Sequence, residues 1–479
     1  MDLSTLRSAF QGRLHTEAAD MAPHLVDWRG KWTGQALAVA QPDRTEDVAA
    51  VMRWCHAHRV PVVPQGGNTG LSGGATPDGS GRALVLSLTR LNRVRALDLA
   101  GSTIEVEAGC TLQQVRDAAE AADRLFPLSL AAQGSCTLGG NLATNAGGVQ
   151  VLRWGNAREL CLGLEVVTPQ GEVWNGLRAL RKDNSGYALR DLYIGSEGTL
   201  GIITAAVLKL FPRPAGQAVA CVAVPSPAEA VQLLGLAQAR LAAGLTAFEL
   251  MSDTCLALVE RHVPAARLPL AERSPWYVLL EASDAVSEAG AAQALESLLE
   301  QALEQAWVTD AALSVSLASQ RALWALREDI SEAQGAEGRT IKHDISLPIA
   351  RIPDFIAQVG RELEAGFDGV RLVIFGHLGD GNLHFNLSPA ADRLGPAHAE
   401  AFVALEGPIN RLVHDAVAAA GGSISAEYGL GVLRRDEAAR HKSPVERRLM
   451  HAIKAALDPL GLMNPGKVLP ATESFNDCP

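Results

Sequence analysis

The sequence lacks three features that would each assign a class of protein. Its seven cysteines, at positions 55, 110, 136, 161, 221, 255 and 478, form no CxxC pair and are odd in number, which argues against a disulfide framework or a thiolate metal site. It has no long basic run, and a formal net charge of -11 gives no electrostatic reason for binding nucleic acid or an anionic membrane. No apolar stretch reaches the roughly 18 residues that span a bilayer. We therefore expect a cytoplasmic protein without a transmembrane segment, whose partners are small molecules.

The sequence does contain enough apolar material for several cores. With 479 residues, 48% of them hydrophobic, the chain is long enough for two or three domains. As far as Pro212, short β-branched runs alternate with helical patterns, which is typical of mixed layers of helix and sheet. Beyond Pro214, long helices rich in Ala, Leu and Gln alternate with strands such as 276–283. This second part predicts an open sheet covered by helices on one side.

Strand patterns in the first part follow one another closely. We expect strands at 36–40, 59–63, 83–88, 104–109, 164–174 with an internal turn, and 200–211. The final stretch, 434–470, has a helical pattern again.

Two glycine-rich loops lie beside these strands, at 64–74 and 133–148. Because glycine has no Cβ, the backbone N–H groups of such loops can approach an anion closely and surround a pyrophosphate. Neither loop has the GxGxxG or GxxxxGK[ST] pattern, so a Rossmann or Walker site is not expected. One such loop alone would equally suit a tight turn at a sheet edge, but two together favour dinucleotide binding.

The segment 372–386, LVIFGHLGDGNLHFN, predicts a β-hairpin. Asp380-Gly381 suits a two-residue type I′ turn, and a turn centred there places His377 directly opposite His384. Opposed Cβ atoms lie about 4.5–5.5 Å apart, a spacing that suits two ligands of one divalent cation. The alternative is a pair of hydrogen-bonded histidines in a half-buried hairpin.

A third metal ligand is available in the loop 421–431, where Glu427 lies among small residues. Two histidines and one carboxylate leave coordination positions open for a substrate, as a catalytic site requires. The same donors accept Zn, Mn, Fe or Co.

The segment 326–348 contains candidates for binding carboxylates. Arg327 and Ser331 are four residues apart on a predicted helix face, and Lys342 lies on the following strand. Arginine offers bidentate geometry and lysine a point charge. Taken alone, such a pattern is more often a solvated helix face with a lysine at a strand end. His343 points to the face opposite Lys342 and is left out of the site.

The two glycine-rich loops, together with IGSEGTLGIIT at 194–204, resemble the FAD-binding domain of the vanillyl-alcohol oxidase superfamily over roughly residues 30–212. The resemblance implies that the first loop binds the FAD pyrophosphate, and that the second runs along the isoalloxazine and ribityl chain. The FAD-binding residues that it implies are Gln65, Gly66, Gly67, Asn68, Thr69, Gly70, Gly74, Gly134, Ser135, Gly139, Gly140, Asn141, Thr144, Asn145, Gly147, Gly148, Glu197, Gly198, Ile203 and Asn464.

The resemblance also implies that FAD is bound non-covalently. Some relatives attach the flavin through a histidine or cysteine near these loops. The first loop here offers Gln65 and Asn68, and Cys136 lies where the family usually has a residue that does not attach flavin.

The motif HLGDGNLH and its neighbouring segments resemble the D-2-hydroxyglutarate and D-lactate dehydrogenase branch of the superfamily, so that the resemblance covers nearly the whole chain. It implies an α+β fold with an FAD-binding domain at 1–213, a substrate- and metal-binding domain at 214–430, and a helical segment at 431–479 that packs back on the FAD domain. The expected reaction is oxidation of a D-2-hydroxy acid, with D-2-hydroxyglutarate preferred over lactate, malate or bulkier acids.

The same resemblance implies roles for residues of the second half. The implied ligands of one divalent metal, zinc or a similar cation, are His377, His384 and Glu427. Arg327 and Asn386 would contact the carboxylate and hydroxyl region of the substrate, and Ser331 and Lys342 would hold its distal carboxylate. The lysine favours a dicarboxylic acid.

One position departs from the family pattern. Where the branch usually has Glu-His-Gly, this chain has Glu427-Tyr428-Gly429. In the family mechanism the metal polarises the substrate hydroxyl, a base takes its proton, and a hydride passes to flavin N5. The catalytic candidates are therefore Tyr428, His384 and Arg327, with Tyr428 also contacting the substrate.

Tyrosine has an ordinary pKa of about 10, which makes it a poor base at neutral pH. Three explanations stay open. Tyr428 acts as a phenolate with a lowered pKa, the metal lowers the pKa of the hydroxyl enough for water to serve, or the protein is slow or altered in substrate.

Two other classes of protein remain as rivals. A reductase that uses NADPH on an enol ether would share the FAD domain without requiring HLGDGNLH, and a flavin-binding protein without turnover would explain Tyr428. The sequence leaves the electron acceptor open between a quinone, an electron-transfer flavoprotein and another carrier, and it allows a homodimer.

Overall fold

The computed structural model describes residues 3–470, apart from the side chains of Pro396 and Ala397. The chain divides into two compact units. Unit 1 comprises the residues up to Gly148, Trp154–Arg213 and the residues from Glu427 onward, whereas unit 2 comprises Val149–Arg153 and Pro214–Ala426.

The described residues of unit 1 form three sheets. Its strands are β1 (Gly12–His15), β2 (Ala38–Pro42), β3 (Val62–Gln65), β4 (Leu84–Ser87), β5 (Val94–Asp98), β6 (Thr103–Glu107), β7 (Arg124–Leu125), β8 (Cys161–Val167), β9 (Val173–Gly176), β10 (Ile202–Lys209) and β11 (Phe211–Pro212). They form a four-stranded sheet of order β1-β2-β4-β3, an antiparallel five-stranded sheet of order β5-β6-β10-β8-β9, and the pair β11-β7. Each strand predicted for this part of the chain is present, within a few residues of its expected position.

The helices follow the expected alternation. In chain order they are α1 (Ser4–Ala9), α2 (Ala18–Met21), α3 (Thr45–His58), α4 (Leu112–Ala121), α5 (Leu138–Ala143), α6 (Val151–Trp154), α7 (Ala157–Leu160), α8 (Arg190–Tyr193), α9 (Pro227–Leu241), α10 (Asp253–His262), α11 (Glu288–Glu304), α12 (Leu317–Glu328), α13 (Ile330–Ala336), α14 (Ile352–Gly366), α15 (Pro396–Ala404), α16 (Glu406–Ala419), α17 (Arg435–His441) and α18 (Pro444–Leu457). Side-chain caps begin several of them. Thr111 and Gln114 form a capping box at α4, and Ser443 and Glu446 form another at α18.

Unit 2 is built on one seven-stranded antiparallel sheet. Its strands are β12 (Gly216–Val224), β13 (Leu245–Ser252), β14 (Trp276–Asp284), β15 (Asp310–Leu313), β16 (Asp344–Ser346), β17 (Val370–His377) and β18 (Asn382–Pro389), in the order β15-β12-β14-β13-β17-β18-β16. On one face Met251, Tyr277 and Phe375 pack against α10, α12 and α13.

The expectation that helices cover only one side of this sheet is wrong. On the second face, Gly360 of α14 lies so close to Leu372 that a Cβ at position 360 would be 3.2 Å from the leucine side chain. All eight residues of β13 are buried. Because side chains alternate between faces along a strand, burial at every position requires cover on both. The predicted α+β class, with an open sheet covered by helices, is confirmed.

The described part of the chain also settles the state of six cysteines and the character of the helices. Its six cysteines are buried and unbridged, and Cys478 lies outside the described residues. Of the helices between residues 3 and 470, none has the length and apolar composition that a bilayer crossing requires.

Candidate functional sites: a cofactor cleft in unit 1 and a polar strip in unit 2

The two glycine-rich loops of unit 1 line a cleft. Predicted FAD-binding residues that line it are Gln65, Gly66, Gly67, Asn68, Thr69, Gly70, Gly74, Gly139, Gly140, Asn141, Thr144, Glu197, Gly198 and Ile203. Lining residues that the sequence did not single out include Ser72, Thr137, Tyr193 and Ser196. Ser72 and Thr137 lie in the two glycine-rich loops, and Tyr193 and Ser196 lie in or beside the segment 194–204; this position along the chain is the only signal that would have identified them.

Other predicted FAD-binding residues lie outside the lining of the cleft: Gly134, Ser135, Asn145, Gly147, Gly148 and Asn464. Asn464 has a supporting position. Its side-chain amide donates to the carbonyl oxygens of Gly74, at 2.9 Å, and of Glu197, at 2.8 Å. It therefore joins two of the segments that form the cleft.

The glycines of the first loop allow it to lie directly against the second loop. A Cβ on Gly67 would lie 1.9 Å from the carbonyl oxygen of Ser135, and one on Gly66 would lie 2.3 Å from Thr137 Oγ1. Both distances are far inside van der Waals contact. Absence of a side chain is thus required for packing between loops, in addition to the approach of an anion.

The side chains of Gln65 and Asn68 hold the first loop in place. Gln65 is buried, and its amide donates to the carbonyls of His24 and Ala75, each at 3.0 Å. Asn68, which has a positive φ of 53°, donates to the carbonyl of Val26 at 2.9 Å. Both amide groups are therefore used to fix the shape of the loop.

The cleft has the features that a bound dinucleotide requires. It offers backbone amides in loops free of bulky side chains, and it contains a buried hydroxyl, Thr137 Oγ1, that has no hydrogen-bond partner among the described residues. A buried polar group without a partner is costly unless a ligand or water satisfies it. These residues fit FAD.

Tyr428 also lines this cleft. Its loop is held by Glu197, whose two carboxylate oxygens accept from the N–H groups of Leu430 and Gly431, at 2.7 and 2.8 Å. The hydroxyl of Ser72 donates to the carbonyl of Tyr428 at 3.2 Å. Burial raises the pKa of Glu197. The backbone that carries Tyr428 is thereby fixed to the cofactor cleft of the same unit.

In unit 2, the hairpin that carries the two histidines has a different register from the predicted one. Phe375, not His377, is opposite His384 in the ladder. The turn is a 3-10 segment, Leu378–Asp380, closed by Gly381 at φ 85°, whose N–H bonds to the carbonyl of His377 at 3.1 Å. The two-residue type I′ turn is therefore wrong, because the chain uses four residues to reverse direction.

The histidines nevertheless share a face of the sheet. A shift of two residues preserves the face on which each side chain lies. His377 and His384 are diagonal neighbours, with ring centroids 5.8 Å apart and nearly perpendicular planes. Burial, followed by the charge of Arg327, holds the pKa of His384 well below its ordinary value. A neutral imidazole is the form that binds a metal.

A carboxylate that the sequence analysis missed lies beside His377. Glu249 of β13 pairs with His377 in the ladder and is fully buried. Its Oε1 is 2.6 Å from Nδ1 of His377, and its Oε2 is 2.7 Å from Nε of Arg327. Burial alone would raise the pKa of Glu249, but its interactions with His377 and Arg327 outweigh burial and lower the pKa. A single carboxylate within the apolar strand LTAFELMS was the available signal.

Arg327 and Ser331 do not share a helix. The helix ends after Glu328, and α13 begins at Ile330, so the predicted i, i+4 relation on one face is wrong. Arg327 is buried, with its guanidinium 4.7 Å from the ring centroid of Phe375, whereas Ser331 is exposed.

Strand β16 supplies further polar residues to the same face. Asp344 pairs with His384, and the two side chains are 4.0 Å apart at Oδ1 and Nδ1. The neighbouring bridge between Ile341 and Leu387 continues this register, which places Lys342, an exposed residue, on the face of His384.

Asn386 is fixed on this face by two contacts. Its amide donates to Gln334 Oε1 at 3.1 Å, and its Oδ1 accepts the backbone N–H of His343 at 3.2 Å. The His343 side chain instead reaches Asn410 Oδ1 at 2.9 Å. We refer to Glu249, Arg327, His377, His384 and Asn386 as the polar strip of unit 2.

Glu427 is the first residue of the C-terminal part of unit 1. It directly follows Ala426, whose N–H donates to the carbonyl of Asp344 at 3.1 Å. Asp344 is the residue opposite His384. Glu427 is therefore one residue along the chain from a backbone hydrogen bond to the strand that pairs with His384.

Comparison with known families defines the class of this protein. The family described as FAD binding domain matches residues 36–176, and the family described as FAD linked oxidases, C-terminal domain, matches residues 213–468. The chain therefore belongs to the FAD-linked oxidase family and is an FAD-dependent oxidoreductase.

Within that class, the chain is similar along nearly its whole length to D-2-hydroxyglutarate dehydrogenases. It is 42% identical to the one from Xanthomonas citri pv. viticola, covering 98% of this chain and 96% of the relative. It is 40% identical to the mitochondrial one from Bos taurus, covering 98% of this chain and 83% of the relative. The enzyme from Stutzerimonas stutzeri is 36% identical over 96% of this chain and 97% of its own length.

Solved structures of distant proteins have the same fold. p-Cresol methylhydroxylase superposes with a TM-score of 0.75 at 16% identity, covering 99% of this chain and 97% of its own. Alkyldihydroxyacetonephosphate synthase superposes with a TM-score of 0.72 at 17% identity, covering 97% of this chain and 84% of its own. The predicted resemblance to the vanillyl-alcohol oxidase type of fold is confirmed.

Proposed function

We propose that this protein oxidises D-2-hydroxyglutarate to 2-oxoglutarate, with FAD in the cleft of unit 1 and a divalent metal bound by His377, His384 and Glu427. The observation that carries the proposal is the polar strip of unit 2, which combines an arginine, two histidines and an asparagine on one face of a sheet. Relatives that share 36–42% identity are named for this activity.

The metal proposal is supported by the chemistry of the donors. Burial lowers the pKa of His384, which favours the metal-binding form of its ring, and His377 has its Nδ1 directed at Glu249, which leaves Nε2 as the nitrogen available to a metal. Imidazole and carboxylate together suit zinc and other first-row divalent metals, with zinc as our first expectation. When bound, FAD supplies the acceptor for the hydride that leaves the substrate, and the metal supplies a Lewis acid for the substrate hydroxyl.

Arg327 and Lys342 are proposed to bind the carboxylates of the substrate. Nε of Arg327 is held by Glu249, and the guanidinium plane lies against Phe375, so its orientation is fixed before substrate arrives. Lys342 lies on the same face as His384 and is exposed, which allows it to bind a second carboxylate. Ser331 is proposed to assist it. Asn386, fixed by Gln334 and the His343 backbone, is proposed to contact the hydroxyl region.

Tyr428 is proposed to accept the proton of the substrate hydroxyl. Its place in the lining of the cofactor cleft supports this role, as does its occurrence where the family pattern has histidine. The loop that carries it is held by Glu197 and Ser72, so the phenol is attached to fixed backbone.

We further propose that FAD is dissociable. Cys136 lines the cleft, but burial raises the pKa of its thiol and outweighs the opposite effect of the hydrogen bond that Asn141 donates to its sulfur at 3.6 Å. A thiol held in its protonated form is a weak nucleophile. The electron acceptor, the homodimer and the cytoplasmic location stay predictions from the sequence; the Bos taurus relative is named mitochondrial.

The direct test is anaerobic reduction of the purified protein, followed as loss of visible flavin absorbance. We expect rapid bleaching with D-2-hydroxyglutarate, slower bleaching with D-lactate, and none with L-2-hydroxyglutarate. Faster bleaching by D-lactate would overturn the dicarboxylate assignment alone. Absence of bleaching with every D-2-hydroxy acid would overturn the proposed function.

A further inference from the structure

We propose that Glu249 is a positioning residue that simultaneously orients His377 for metal binding and Arg327 for substrate binding. This inference rests on the proposed function, because it concerns the same site. It assigns to β13 a part in that site, although no residue of β13 was a candidate from the sequence.

The carboxylate of Glu249 divides its two oxygens between the two partners. Oε1 is 2.6 Å from His377 Nδ1, and Oε2 is 2.7 Å from Arg327 Nε. The residue is inaccessible to solvent, and the distances are those of charge-assisted hydrogen bonds. Water cannot replace either partner of a fully buried carboxylate. The Glu249 carboxylate therefore fixes the side chains of both His377 and Arg327.

The contact with His377 determines which ring nitrogen carries hydrogen. An ionised carboxylate only accepts hydrogen bonds, so Nδ1 of His377 is the protonated nitrogen and Nε2 holds the lone pair. A carboxylate in this position orients the ring and raises its basicity as a ligand. Glu249 therefore prepares His377 for a metal.

The contact with Arg327 fixes a cation in a buried place. Without a carboxylate partner, a buried guanidinium would be costly and would move toward water. Phe375 lies against the guanidinium, with 4.7 Å between Cζ and the ring centroid. Glu249 and Phe375 together hold the plane of the guanidinium, and the remaining N–H groups define where a substrate carboxylate would bind.

A second buried carboxylate provides a matched comparison. Glu281 of the adjacent strand β14 is opposite Ala247, two residues from Glu249, and so lies on the same face. Its partners are uncharged: Thr246 Oγ1 at 2.6 Å, Trp324 Nε1 at 3.2 Å and Gln217 Nε2 at 3.2 Å. Glu281 resembles Glu249 in burial and strand environment and differs in what it touches.

The experiment compares Glu249→Gln, Glu249→Asp and Glu281→Gln in the full-length FAD-bound protein. Zinc affinity is measured by competition with a chromogenic chelator, and the KM for D-2-hydroxyglutarate is measured separately from kcat. We expect Glu249→Gln to lower zinc affinity by roughly 10–100-fold and to raise KM, because an amide accepts from only one of the two donors while its NH₂ opposes the other. Glu249→Asp keeps the charge and should recover part of both losses.

The control and the contrary results separate this inference from the proposed function. Glu281→Gln should retain zinc affinity and KM, even if it unfolds at a lower temperature. Zinc affinity and KM that stay at the wild-type level in Glu249→Gln would overturn the inference, as would equal losses in Glu281→Gln. If wild-type protein binds zinc but its flavin is not reduced by D-2-hydroxyglutarate, the proposed function fails while the zinc comparison still decides the role of Glu249.

Discussion

The two candidate sites of this protein are built from different materials. The cofactor cleft of unit 1 is made mainly by backbone, in loops where Gly66 and Gly67 leave no room for a Cβ. The polar strip of unit 2 is made by polar side chains of buried strands together with Arg327 of α12, and Glu249 lies between His377 and Arg327. We therefore expect substitutions that add volume to disrupt the cleft, and substitutions that change side-chain chemistry to disrupt the polar strip.

The largest expected effect comes from removing a ligand in the polar strip. His384→Ala should lower turnover by roughly a thousandfold, equivalent to about 4 kcal/mol, because the Lewis acid is lost. The FAD content, which depends on unit 1, should stay unchanged. The control is His262→Ala, a partly exposed histidine of unit 2 that contacts Glu337 and lies outside the strip. Full turnover with undiminished zinc in His384→Ala would contradict the assignment.

Tyr428 is an exception to this contrast, because it is a proposed catalytic side chain in a cleft that is made mainly by backbone. We expect Tyr428→Phe to lower kcat by roughly a hundredfold, the lower end of the usual contribution of a positioned base, and to leave FAD content and zinc affinity intact. Rapid-mixing measurement of flavin reduction would show this directly. Retained turnover would exclude the phenol as the base and favour water as the proton acceptor. Tyr428→His, which restores the family residue, should be at least as active as the wild type.

The sensitivity of the cleft to volume is tested at two glycines of one loop. Gly67→Ala places a Cβ 1.9 Å from the Ser135 carbonyl and should lower the free energy of unfolding by about 1–3 kcal/mol, with loss of FAD. At Gly70, a Cβ would meet no described atom within 4 Å. The FAD-free Gly70→Ala protein should therefore be as stable as the FAD-free wild-type protein. Equal thermal unfolding of the two FAD-free variants would disprove the packing argument.

A smaller effect is expected at the edge of the strip. Lys342→Ala should raise KM for D-2-hydroxyglutarate by roughly tenfold, because one charge-assisted hydrogen bond contributes about 1.5 kcal/mol, and should leave KM for D-lactate unchanged. Steady-state assays with an artificial electron acceptor measure both. A parallel rise in both KM values would mean that Lys342 supports the site in general instead of the distal carboxylate.

The sequence predicted the cleft more completely than the strip, for a physical reason. The role of a glycine-rich loop can be predicted from a short segment alone, because the absence of side chains is visible in its composition. The strip depends on pairings between distant segments, such as the contact of Glu249 with His377, and these follow from the register of the sheet. Only the lone carboxylate of β13 indicated that such a partner was needed.

The hairpin shows the same limit on a smaller scale. Asp380-Gly381 predicted a tight turn, but the chain forms a 3-10 segment before Gly381 and pairs Phe375 with His384. The face shared by His377 and His384 was predicted correctly because a shift of two residues preserves it. The break between α12 and α13 was missed, since the sequence around Asp329 contains neither glycine nor proline.

The most direct test of the account is the rate of flavin reduction by D-2-hydroxyglutarate before and after the metal is removed. Protein treated with a chelator, shown by elemental analysis to lack metal and by absorbance to retain FAD, should bleach at least a hundredfold more slowly, and added zinc should restore the rate. Bleaching at the same rate in protein proven to be free of metal would contradict the account, because the polar strip would then act without a cation.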